Sequence, residues 1–204
     1  MNLFGNLFNK KERERINSEI LQELGFKEEV QVLIKEVAGM EFYPLENYHE
    51  VTIGISFKCS QEEAEQLVDQ LRAEIQPLGY LPFIAETDVG RRSNSIIGIV
   101  KTDSPFELLK ILDTNGDNYD ISNEDVIAKL KEWHQRNPFT VTGANFDWVE
   151  IAFEKLPTRA ELAALAKEVT VFCPDAVEFD EDEESIEETV KSLEETKKIF
   201  LWWD

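Results

Sequence analysis

Two cysteines and two histidines are all that 204 residues carry. Cys59 and Cys173 are too few for a disulfide framework, so the cytoplasm is the expected compartment. Zinc needs clustered Cys or His ligands, and His49, His134 and the two cysteines are too widely spaced to supply them. Nucleophilic catalysis needs a Ser or Cys with a base in reach. His134 follows Trp133 on a core-facing helical pattern and suits a boundary residue better than a base. Cys173 sits at a helix C-terminus, where the macrodipole disfavours a thiolate, and is expected to be a packed core thiol. Neither a Walker A nor a G-x-G-x-x-G segment occurs, so no nucleotide cofactor is implied. No apolar run reaches the length of a membrane span, which excludes stable membrane insertion through a helix.

Positive charge is also scarce, with 21 Lys and Arg against 42 Asp and Glu and a net charge of −21. From Met1 to Thr102 there are 11 basic and 17 acidic residues, or −6; from Asp103 to Asp204 there are 10 and 25, or −15. The second half therefore disfavours nucleic-acid phosphates and anionic lipid, and favours a basic partner. Hydrophobic content of 42%, with thirteen Phe, is that of a globular chain.

Residues 1–50 read as a helical leader and an irregular segment. Leu3, Phe4, Leu7 and Phe8, followed by Lys10 and Lys11, form one apolar turn expected to dock on the core. Ile16, Ile20, Leu21 and Leu24 repeat at helical spacing, and Gly25 is the stop. Val30, Val32 and Ile34 alternate weakly, and Pro44 is expected to break the segment after them. Residues 51–112 read βαββα. Val51, Ile53, Ile55 and Phe57 alternate as a half-buried strand. Ser60 with Glu63 makes a capping box before the stripe Ala64, Leu67, Val68, Leu71 and Ile75. Tyr80–Ala85 and Ile96–Val100 are two more strands, joined by a loop holding Arg91 and Arg92, the only paired arginines.

Residues 113–204 read αββααβ. Ser122 with Asp125 caps a helix to Arg136, and Ile121 with Val126 makes a hydrophobic staple. Phe139–Gly143 and Phe146–Phe153 form a hairpin, and Thr158 with Glu161 caps a helix ending before Pro174. A shorter helix carries Ile186, Val190 and Leu193, and IFLWWD closes as a buried strand. The four tryptophans all lie in this half and are expected to build its core, with acceptors such as Asp147 for their N–H groups. The fold class expected is α+β: a two-layer, mostly antiparallel sheet with helices on one face, in ferredoxin-like halves.

Between two helical segments lies DTNGDNYDISNED, Asp113 to Asp125, the densest polar stretch. Asn115-Gly116 is a turn signal, because both residues tolerate positive φ. Asp113, Asn115, Asp117 and Glu124 also occupy EF-hand positions 1, 3, 5 and 12. Asn118 replaces the Gly of position 6, Ile121 offers no side-chain oxygen, and no second loop is present, so a structural turn is preferred to calcium.

Four segments of the second half, TNGDNYDI (114–121), GANFDWVEI (143–151), FCPD (172–175) and FLWWD (200–204), together resemble the bacterial domain of unknown function 4253 family. The resemblance covers about Ile97 to Asp204 and leaves the first hundred residues outside. It implies a cytoplasmic bacterial protein of a family to which no activity is assigned. Its pattern centres on Asn115, Gly116, Asn118 and Tyr119, not on Asp113 and Asp117, which weighs further against calcium.

Two functional readings fit these residues. The first is a non-catalytic interaction protein, immunity- or antitoxin-like, binding a basic protein at Asp180, Asp182, Glu184 and Glu187. The second is a small-ligand binder or enzyme using Asn115, Asn118, Tyr119, Asp147, Trp148, Glu150, Asp175 and Trp202.

Overall fold

The computed structural model describes residues 10–39, 41–87, 94–176 and 183–203. The apolar leader at 3–8, Arg91 and Arg92, Asp180, Asp182 and Asp204 lie outside them, as do the side chains of Lys10, Lys11, Ile16 and Glu184. Backbone packing divides the chain into residues 1–104 and 105–204, so the helix before Asp113 belongs to the second unit.

The first unit runs α1 (Lys10–Glu23), α2 (Glu28–Ala38), β1 (Tyr43–Glu46), β2 (Thr52–Ser60), α3 (Gln61–Ile75), β3 (Leu81–Thr87) and β4 (Asn94–Val100). The strands pair antiparallel in the order β1-β2-β4-β3. Gly25 ends α1 at φ +64°, where only glycine is unstrained. Its N–H donates to Gln22 O and that of Phe26 to Leu21 O, the two bonds of a Schellman close.

The alternation of Val30, Val32 and Ile34 turns out to be helical. Val30 and Ile34, one turn apart, are fully buried in α2, and Val32 between them is 51% exposed. Glu28 and Glu29 favour the N-terminus of this helix and Lys35 its C-terminus. Pro44 breaks no structure. It sits in β1 at the sheet edge, where its missing N–H costs no ladder bond. The capping box expected at Ser60 forms only in part, since the hydroxyl donates to Glu63 Oε2 (2.5 Å) and accepts no backbone N–H. Ala64, Val68, Leu71 and Ile75 of α3 are buried against β2, β3 and β4.

The second unit runs α4 (Pro105–Leu112), α5 (Asn123–Arg136), β5 (Phe139–Ala144), β6 (Trp148–Phe153), α6 (Arg159–Phe172), α7 (Glu183–Thr196) and β7 (Lys198–Trp202). Both halves are therefore α+β, with antiparallel sheets. The capping boxes at Ser122–Asp125 and Thr158–Glu161 form in full. The hydroxyls and backbone amides they satisfy hold both carboxyls below the usual carboxylate range. In the order β5-β6-β7, Val141, Val149, Ile151, Ile199 and Leu201 are buried with Leu130, Leu165, Val169 and Leu193 of the helices.

The closing strand is buried on one side only. Ile199 and Leu201 point inward, while Phe200 and Trp202 remain 40% and 39% exposed. The tryptophan core is likewise half of what composition suggested: Trp133 and Trp203 are buried, and Trp148 and Trp202 face outward. Among the described residues, no helix is long and apolar enough to cross a membrane.

Candidate functional site

The four motif segments of the second unit meet at Trp203, which comes directly after β7. Its N–H donates to Asp147 O (3.0 Å) and its indole Nε1–H to Phe172 O (3.2 Å). Its ring meets Phe172 edge to face, centroids 5.7 Å apart. Gly116 lies against the same ring: a Cβ there would stand 2.8 Å from Trp203 Cδ1. Gly116 itself has φ −127°, so its role is close approach and not the positive φ expected of a turn glycine. The left-handed residues of this loop are Asp113 (φ 58°) and Asp120 (φ 56°).

Neighbouring groups of the loop are used to hold it in place. Asn115 N–H donates to Phe146 O (2.8 Å), and Thr114 Oγ1 donates to Asn145 O (2.7 Å). The buried Asn115 side chain donates to Asp113 O (2.8 Å) and accepts from Asp117 N–H (3.1 Å). The amide of Asn123 donates to both Leu109 O and Thr114 O. The oxygen an EF-hand would take from Asn115 is thus turned to its own loop. Among the described residues, no group of three or more His, Cys, Asp or Glu is placed to hold a metal ion.

The other two motif segments join the same cluster. Tyr119 donates its hydroxyl to Asp175 Oδ1 (2.6 Å). Cys173 Sγ accepts from Trp202 N–H (3.2 Å) and donates to Trp202 O (3.0 Å). Burial pushes its thiol up to about 11, which disfavours the thiolate, and both contacts tie it to β7. All four motif segments therefore converge, and Trp203 with its neighbours ties them together.

Seven of the eight candidate ligand residues fall into two sets. Tyr119 and Asp175 bond directly, and Asn115 and Asn118 belong to the loop of Tyr119, the first buried and the second exposed. Trp148, Glu150 and Trp202 lie on the outward face of β6 and β7, where Trp148 pairs in register with Trp202. Glu150 accepts from Thr142 Oγ1 (2.6 Å) and pairs with Lys198 Nζ (3.3 Å). Asp147 contributes its backbone carbonyl to Trp203 and is not the acceptor for a tryptophan indole. Phe200 was missed by composition, yet it stacks on Trp148 at 5.2 Å and 24°. Period-two alternation along β7, with Ile199 and Leu201 inward, is the signal that places it there. A cavity of about 250 Å³ opens beside Trp133, Arg136, Phe153 and Leu165, and none of the eight residues lines it.

Trp133 Nε1–H donates to Glu168 Oε2 (2.8 Å), and Arg136 grips both oxygens of Glu168 at 2.6 and 2.7 Å. The Arg136 guanidinium, with help from the indole, holds the Glu168 carboxyl below its usual range. A depressed folded-state value means that the stabilisation is complete above the ordinary glutamate range and is lost as pH falls through the folded value. Glu168→Gln is expected to cost on the order of 1 kcal/mol at neutral pH, discounted for partial exposure, and to flatten the acid limb of stability. Tm against pH for both proteins checks this; parallel curves would contradict it.

Of the acidic residues expected at a partner contact, Glu187 pairs with Arg159, which also binds Glu194 through both oxygens (2.7 and 2.8 Å). His134 accepts from Phe139 N–H at Nδ1 (3.2 Å) and packs edge to face on Phe139 and Phe106, a boundary position. Searches of curated protein sequences and of solved structures returned no match. A family model for the domain of unknown function DUF4253 matches residues 96–204, and the chain belongs to that family.

Proposed function

We propose that the protein is a non-catalytic interaction protein whose acidic second half binds a basic protein, acting as an inhibitor of the immunity or antitoxin kind in the bacterial cytoplasm. The observation that carries this reading is charge: 25 acidic residues against 10 basic ones from Asp103 to Asp204. Several of the cations present are already paired within the unit, Arg136 with Glu168, Arg159 with Glu194 and Lys198 with Glu150. The surplus is larger than solubility asks of a small domain. Phosphates and anionic lipid would be repelled by the same field, and a basic surface attracted.

The reading is tested by capturing partners from the source cell at low and high salt, then measuring association with the purified partner. Electrostatic steering makes association fast and steeply salt-dependent. Replacing Asp180 and Asp182 by Asn and Glu184 by Gln is expected to slow association roughly tenfold, with little change in dissociation or Tm. An unchanged association rate, or no basic partner at low salt, would overturn the reading.

A further inference from the structure

The outward face of β6 and β7 is aromatic, on a unit that is otherwise acidic. Trp148 and Phe200 stack there, and Phe200 and Trp202 expose 40% and 39% of their surface. Glu150 lies on the same face, opposite Phe200 in register. Glu150 is paired there with Lys198, and large aromatics left partly in water on an acidic unit form a surface that suits a flat cation.

The edge of β7 is poorly suited to strand addition. Trp203 N–H donates to Asp147 O and Phe153 N–H to Lys197 O, so the alternating ladder turns the backbone groups of Lys198, Phe200 and Trp202 to the open edge. Thr196 Oγ1 accepts from Lys198 N–H (3.1 Å) and donates to its carbonyl (3.4 Å). Cys173 Sγ occupies both backbone groups of Trp202. Among the described residues, side-chain caps at both ends leave only Phe200 between them, too little for an added strand. A second copy of the chain is disfavoured as the occupant, because each second half carries −15.

We infer that the arginine side chains of a basic partner dock on this face, stacking on Trp148, Phe200 and Trp202 and competing with Lys198 for the Glu150 carboxylate. The inference rests on the basic-partner reading and adds to it a contact on β6 and β7. Arginine is favoured over lysine because its guanidinium is planar and weakly hydrated and stacks on aromatic rings, whereas an ammonium keeps its water.

The test titrates the full chain with three synthetic peptides of one length, alternating serine with arginine, lysine or uncharged citrulline, monitored by calorimetry and tryptophan fluorescence. The arginine peptide is expected to bind about fivefold tighter than the lysine peptide, and the citrulline peptide weakest. Trp202→Ala and, separately, Phe200→Ser should erase the arginine advantage and leave the lysine peptide's affinity nearly unchanged. Both side chains are outward, and if one variant fails to fold the other carries the test. Equal binding of the arginine and lysine peptides to wild type and variants alike would overturn the aromatic site and leave the basic-partner reading standing. Failure of both charged peptides to bind at low salt would overturn the two together. Self-association that the variants abolish, without peptide binding, would make the face a contact between copies and overturn the inference.

Discussion

A chain ended at Lys198 is expected to lose the cooperative unfolding of residues 105–204. Ile199, Leu201 and Trp203 are 5%, 0% and 3% exposed, and all three would leave the core. Truncating one buried side chain of this size costs about 2–5 kcal/mol, and three together rival the 5–15 kcal/mol that stabilises a typical domain. The loss also strands polar groups: Phe172 O and Asp147 O lose Trp203, and Cys173 loses both backbone contacts to Trp202. A buried acceptor left unmatched adds roughly 1–3 kcal/mol to the penalty. Thermal unfolding monitored by circular dichroism checks the outcome. A cooperative transition for this unit within a few degrees of the full chain would contradict it.

The features legible in the sequence are those that short-range chemistry determines. The order βαββα and then αββααβ is found from residue 51 onward, because strand alternation and helical stripes are local patterns. The helix from Asn123 to Arg136 begins where Ser122 and Asp125 cap each other's backbone, a device complete within four residues. Val30, Val32 and Ile34 misled because three apolar residues at i, i+2 and i+4 fit both periods. The tertiary packing of Val30 and Ile34 decided for helix.

The candidate site was legible in its membership and not in its use. Motif residues do assemble, but most of their polar atoms hold one another, as Asn115 holds its own loop and Cys173 holds β7. No local rule says whether an Asn side chain faces a ligand or its own backbone. Two adjacent tryptophans on one extended segment must point to opposite sides, so Trp202 and Trp203 could not both be core. The exposed member of that pair, with Phe200 beneath it in the strand, is what the aromatic face is built on.

The four motif segments form one structural unit around Trp203, and a double-mutant cycle at Gly116 and Trp203 measures whether they act together. Gly116 has φ −127° and ψ 57°, so no positive φ demands glycine here. An added methyl would stand 2.8–2.9 Å from Trp203 Cδ1 and Cγ, a contact that must be relieved by displacing a fully packed ring. Gly116→Ala is therefore expected to cost about 1–3 kcal/mol. Trp203→Leu costs stability of its own by leaving a cavity and an orphaned Phe172 carbonyl. With both changes present, the leucine gives the methyl room, and the combined loss should fall short of the sum by at least about 1 kcal/mol. Denaturant unfolding of the four proteins measures this coupling. Losses that add to within about 0.5 kcal/mol would show that Gly116 and Trp203 act independently and that the segments do not form one unit.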